Sequence, residues 1–177
     1  ITVSPDGQYF ASASEDGTVR VWEVDTCLCR AVWDLGSPVV ALSWNPSSSV
    51  MLLAAAVGSK IIMISTGTGD KDSCEMTAAL LKTSQEQYGV ISAKNGSGDQ
   101  DVNNNDDDED VGDTDGKDDE EDGSMNSSDL KIVSKWKFMK DKKAKVRYGC
   151  QVGPCLEIAL KGAVSTLSWH HKGDYIG

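Results

Sequence analysis

Three groups of residues in this sequence could do chemistry. The first is acidic. Residues 99 to 122 hold 14 of the chain's 28 acidic residues against one lysine, a local charge of −13. Within and just after that tract, Asp118, Glu120, Asp122, Gly123 and Asp129 fall at positions of a calcium-binding loop. The last position of such a loop requires a bidentate glutamate, and the motif requires flanking helices. This sequence has Asp there and no helical pattern on either side, so composition alone accounts for the match. The second group is sulfur and imidazole. Cys27 and Cys29 lie two apart on an expected strand and so share a face, and Cys150 and Cys155 precede His170 and His171. The spacing fits no pair of zinc knuckles, and strand cysteines commonly serve as small buried hydrophobes, so neither metal nor cofactor is expected. GTGDKDS at 67–73 lacks the order of glycines and lysine that wraps a phosphate. Two histidines at the very end leave no base beside a nucleophile. No catalytic residue is assigned, and the chain does not read as an enzyme.

The third group is basic. KIVSKWKFMKDKKAKVRY, 131 to 148, carries Lys131, Lys135, Lys137, Lys140, Lys142, Lys143, Lys145 and Arg147 against Asp141, with Trp136, Phe138 and Tyr148 interleaved. Cationic side chains neutralise phosphates and aromatic faces stack on unpaired bases, which makes this stretch a candidate RNA contact. The competing expectation is a solvated loop in which Trp136 packs on the folded part and the lysines pair with the acidic tract. Those same acids would compete with nucleic acid for the lysines.

These groups sit on an uneven chain. The total charge of the 177 residues is −11, so the 153 residues outside the acidic tract carry +2, and the low isoelectric point describes a segment rather than a fold. The most apolar stretch, VMLLAAAVGSKIIMI at 50–64, is broken at Gly58-Ser59-Lys60 and reads as two buried strands, not a membrane span. Five cysteines without dense spacing point to a reducing compartment. NGS at 95 and NSS at 126 match the glycosylation pattern, as any Asn/Ser-rich stretch does by chance. The chain begins with Ile and ends in a strand-like stretch, so it reads as a piece of a longer protein.

An internal repeat supplies the architecture. TVSPDGQYFA from Thr2, SWNPSSSVML from Ser43 and SWHHKGDYIG from Ser168 align. Val3 and Trp44 are 41 residues apart, and Trp44 and Trp169 are 125 apart, one period plus an insertion. A period of about 40 to 45 residues is that of propeller blades. Alternation bounded by turn residues places strands at 8–14, 18–24 and 28–35 in the first repeat. It places Tyr9, Ala11 and Ala13 on one face of the first strand and Val19 and Val21 on one face of the second, with the Glu15-Asp16-Gly17 turn between them. The second repeat has strands at 39–44, 50–57 and 60–65, and its fourth waits until 155–160. The expected fold is all-β, a β-propeller fragment of about two blades with a long disordered acidic insertion. Residues 1–35 form the first blade and 36–66 with about 151–163 the second. Residues 67–150 form the inserted acidic then basic loop, and 164–177 begin a third blade. Residues 95 to 129 have too few apolar side chains to offset chain entropy.

SPDGQYFASASEDGTVRVWEV resembles a WD-repeat unit. The resemblance implies a structural network of Asp16 and Trp22 with a hydroxyl from Ser12 or Ser14; the usual His would precede Ile1. Gly36-Ser37 and Lys161-Gly162 stand where Gly-His is usual, so the network is incomplete in the later repeats. The whole order is more specific: that unit, then VVALSWNPSSSVMLLAAAVGSKIIMI, an insertion with a basic end, and AVSTLSWHHKGDYIG. It resembles the start of the propeller in the block-of-proliferation family of ribosome biogenesis proteins, over about 80 residues at the two ends of the chain. The resemblance implies a non-enzymatic scaffold in large ribosomal subunit assembly, located in the nucleolus and nucleoplasm. The partners it implies are pescadillo, a second WD-repeat protein, pre-ribosomal RNA and large-subunit precursor particles, with no membrane. A WD-repeat adaptor for a ubiquitin ligase or a signalling complex is the alternative.

Overall fold

The computed structural model describes residues 1–94, 135–140 and 144–177. The expected disorder over 95–129 and the calcium-loop positions therefore lie outside the described residues. Two antiparallel sheets carry the fold. The first is a four-stranded meander in the order β1 (Thr2–Val3), β2 (Tyr9–Ala13), β3 (Thr18–Glu23) and β4 (Cys29–Asp34). Ala11 opposes Val21 and Ala13 opposes Val19, which puts the small and branched side chains on one face, where Ala11, Val19 and Val21 are buried. The β2–β3 turn closes with Ser14 and Gly17 bonded to each other's side of the hairpin, Ser14 N–H to Thr18 C=O and Gly17 N–H to Ser14 C=O, both 3.1 Å. Gly17 has φ +86°, and a Cβ there would stand 3.0 Å from the main-chain nitrogen of Ser37. A side chain at this position would strain the turn and push away the segment that leads into the next sheet.

The second sheet has five strands in the order β5 (Val39–Trp44), β6 (Leu52–Val57), β7 (Lys60–Ser65), β11 (Gly153–Ala159) and β8 (Lys135–Phe138). Its centre is covered on both faces. Leu53, Ala55, Val57, Ile62 and Ile64 pack towards the first sheet, around Val19, Val21 and Trp33. Leu52, Ala54, Ile61 and Met63 face the other way and pack with Leu156, Ile158, Val164, Leu167 and Trp169. A strand buried on both faces loses the polar half of its alternation, which is why this stretch reads as nearly continuous apolar sequence. Residues 164–177 cap the second face. Trp169 bridges to Ile176, and its indole N–H donates to the Ser43 carbonyl at 3.1 Å.

The structure differs from the sequence reading in the insertion. In place of a continuous loop over 67–150, it has α1 (Lys71–Lys94), β8, and a hairpin of β9 (Val146–Arg147) and β10 (Cys150–Gln151). Asp70 starts the helix, its Oδ1 accepting the Ser73 N–H at 2.8 Å, and that bond holds the Asp70 carboxyl below the usual carboxylate range. Cys74 and Thr77 are buried and Ala78 and Leu81 half-buried, a stripe at helical spacing made of residues too small or polar to announce it. Thr77 joins helix to sheet: its hydroxyl accepts the Met51 N–H at 2.9 Å and donates to the Ser73 carbonyl at 2.8 Å. No helix among the described residues is long and apolar enough to cross a membrane.

A second difference concerns cysteine. Cys27 is not on the strand with Cys29; it lies in the turn before β4 at φ +55°, and both are exposed rather than buried. Cys74, Cys150 and Cys155 are buried, and burial pushes the Cys155 thiol up to about 12.

Candidate interaction site

The first-sheet motif residues are brought together in two sets. The indole N–H of Trp22 donates to Ser12 Oγ at 3.0 Å, and Phe10 stacks on the same indole with ring centroids 6.1 Å apart. Asp16 belongs to the turn instead: its Oδ1 accepts the Thr18 hydroxyl at 2.7 Å and the Thr18 N–H at 2.8 Å, while Ser14 Oγ accepts the Asp16 N–H at 3.3 Å. The Thr18 hydroxyl is the main cause that holds the Asp16 carboxyl below its ordinary range. Among the described residues no hydrogen bond links the Trp22–Ser12 pair to the Asp16 turn.

The basic segment is split by the fold. Lys135, Trp136, Lys137 and Phe138 form the outermost strand of the second sheet, paired in register with Ala159, Ile158, Glu157 and Leu156. Trp136 and Phe138 are half-buried against the apolar cluster on that side, so their rings are engaged in packing. Lys137 and Lys140 stay exposed on the perimeter; Lys131, Lys142 and Lys143 lie outside the described residues. Lys145 and Arg147 are carried elsewhere by the β9–β10 hairpin, whose turn residues Tyr148 and Gly149 both have positive φ, at 48° and 79°. Two consecutive positive-φ residues are what a two-residue hairpin of the twisted kind needs. Arg147 donates to the Gly67 carbonyl at 2.6 Å, and its guanidinium lies 5.4 Å from the centre of the Tyr148 ring.

That hairpin forms one wall of an open cleft of 730 Å³ between the two sheets. Lys145 and Arg147 face Tyr9, Glu23, Arg30 and Trp33 of the first sheet across it. Arg30 pairs with Glu23, whose carboxyl is held below its ordinary range first by the Thr26 hydroxyl and then by Arg30. Both partners are partly open to solvent, so the pair orients side chains more than it stabilises the fold. With Glu23 engaged, the cleft presents excess positive charge. Sequence reasoning missed Arg30 and the cleft because they depend on packing between sheets. The Tyr-Gly pair between short polar-apolar strands was the one local signal of the hairpin.

The terminal histidines lie at a turn. His170 Nδ1 lies 2.8 Å from Asp174 Oδ1 and the ring stacks on Tyr175 at 4.2 Å, while Asn45 donates to the Gly173 carbonyl at 2.9 Å. Among the described residues no group of His, Cys, Asp or Glu is arranged to hold a metal ion.

The WD domain, G-beta repeat family matches residues 1–23. No curated protein sequence matches the chain. Among solved structures, the WD40 repeats of RRP9 and the structure of U3-55K are similar to it, each with 18% identity and a TM-score of 0.34. Each similarity covers 36% of this chain, and 19% and 20% of those chains respectively, so this chain matches about a fifth of their length. The chain is a partial β-propeller fragment, mostly antiparallel sheet, whose residues 1–23 match a WD repeat.

Proposed function

We propose that this protein is a non-enzymatic scaffold in large ribosomal subunit assembly and pre-rRNA processing. In this reading it works in the nucleolus and nucleoplasm, docks pescadillo and a second WD-repeat protein, and contacts pre-ribosomal RNA. The observation that carries the reading is the order of sequence elements: the WD unit, the second repeat, the acidic then basic insertion, and LSWHHKGDY. The placement of Lys137 and Lys140 on the exposed perimeter supports an RNA contact made through phosphates rather than through base stacking, since Trp136 and Phe138 are used in packing. A rigid pair of sheets then holds the protein partners while these lysines engage the RNA backbone.

Sedimentation of the tagged full-length protein from cell extract tests the reading, with pescadillo and large-subunit precursor RNA probed across the same gradient. Co-migration with both is expected. Migration as a small complex free of precursor RNA would put a ubiquitin-ligase adaptor or signalling scaffold in its place. For the RNA contact, Lys137→Gln with Lys140→Gln should flatten the salt dependence of binding to single-stranded RNA by about 1.4 logarithmic units per tenfold salt. An unchanged slope would remove that part of the proposal.

A further inference from the structure

Among the described residues, β4 ends the first sheet. In an antiparallel ladder the residues alternate in pointing their main-chain N–H and C=O groups to one side or the other. Leu35 donates its N–H to Gly17 at 3.0 Å, and Trp33 and Ala31 continue that set opposite Val19 and Val21. The main-chain groups of Val32 and Asp34 therefore point away from β3, and among the described residues they meet no partner. Residues 30 to 33 all line the cleft. Successive side chains of a strand leave on opposite faces, so four consecutive lining residues mean that the open edge itself looks into the cleft. Val32, in the middle of that edge, is 54% exposed.

We propose that this edge accepts an extended acidic segment of a partner protein as a fifth strand, with carboxylates at alternate positions turned towards Arg30, Lys145 and Arg147. The second sheet shows the same operation within the chain. There β8 adds to β11 as a fifth strand, and Lys137 stands opposite Glu157, which also pairs with Lys60 at 3.1 Å. In the first sheet the charge sense is reversed, because the cations belong to the cleft and the added strand must bring the acids. A peptide backbone matches the alternating donors and acceptors of an open edge, which a phosphodiester chain does not. Tyr9 and Trp33, the aromatic residues of the first-sheet wall, are half-buried against the core, which limits the ring surface they offer to stacked bases. The proposal thus assigns Lys145 and Arg147 to a protein partner and leaves the perimeter lysines to RNA.

The test uses the full-length protein and a labelled peptide of alternating aspartate and valine, about six residues long, read by fluorescence anisotropy. A second peptide of the same sequence, N-methylated at alternate residues, keeps the charges and loses the strand hydrogen bonds. The parent should bind about tenfold more tightly than the methylated peptide. Val32→Pro should weaken the parent peptide about tenfold, since it removes an outward N–H that β3 does not use. Should Val32→Pro lower the melting temperature, Lys145→Glu with Arg147→Glu serves as the second variant and should weaken binding to a similar degree. Equal affinity for the two peptides would overturn strand addition in favour of simple charge attraction. Displacement of the peptide by oligouridylate, lost in the same variants, would overturn it in favour of RNA. A rise in affinity on excising residues 101–122 would overturn the partner in favour of the chain's own acids.

Discussion

β4 and β11 hold the same place in their sheets, the strand after the third, yet they meet opposite surroundings. β4 alternates between exposed and half-buried from Arg30 onward and, among the described residues, has nothing beyond it, whereas β11 buries Gly153, Cys155, Leu156 and Ile158 and carries β8 on its far side. Their sequences follow: CRAVWD places two charged groups and two aliphatic residues on an edge, and GPCLEIA is an interior strand with one carboxylate, paired to Lys60. The difference teaches that the segment between β7 and β11 finishes the second sheet. It supplies the fifth strand and a helix over it, while the first sheet keeps an edge and an open cleft.

The largest effect that separates the two blades should come from their shared centre. Leu53→Ala, at a residue with no exposed surface, should cost about 3 kcal/mol by chemical denaturation, because both faces of its strand are packed and collapse is hindered. A cost below about 1 kcal/mol would mean that the sheet is not covered on both sides. Next are the outermost strands. Phe138→Ala on β8 should cost about 2 kcal/mol, less than a fully buried Phe, while Val32→Ala on β4 should stay within about 0.5 kcal/mol. Equal costs would erase the distinction between a finished and an open edge.

Thr77→Val sharpens the role of α1. It leaves the Met51 N–H buried without an acceptor, for about 1 to 2 kcal/mol, and should speed amide exchange at the start of β6. In the first blade, Ser12→Ala removes the acceptor of the Trp22 indole and should cost about 1 kcal/mol, with a blue-shifted tryptophan emission as the companion readout.

The smallest effect is with pH. The folded Asp16 carboxyl is held below its unfolded value near 3.9, so the stability it contributes is present above about pH 4 and is lost as pH falls through its folded value. Asp70 acts in the same direction. Asp16→Asn should flatten the acid limb of a stability profile by a small amount and leave the neutral region nearly unchanged, because the group is fully exposed.

The strands were legible where alternation is one-sided. Tyr9, Ala11 and Ala13 against Phe10 and Ser12 marked β2, and Asp16-Gly17 marked its turn, because both signals are local. The 41-residue echo revealed the second sheet even though its central strands do not alternate. The helix was illegible because Cys74, Thr77 and Ala78 form a contact face of small residues that matters only against Met51 and the sheet. The site was legible only as a basic stretch. Nothing in the order of residues 135–147 says that Lys137 stays on the perimeter while Arg147 lines a cleft across from Arg30.

By itself the sequence determined the repeat, the hairpins, the apolar core strands and the separation of acidic from basic charge, since each follows from period, turn chemistry or composition over a few residues. Only the tertiary structure decided that β8 crosses to the far side of β11, that Trp136 and Phe138 are spent on packing, and that Arg30, Lys145 and Arg147 converge. Those outcomes rest on contacts between residues far apart in the chain, where pairing depends on which edge is open and which face is uncovered.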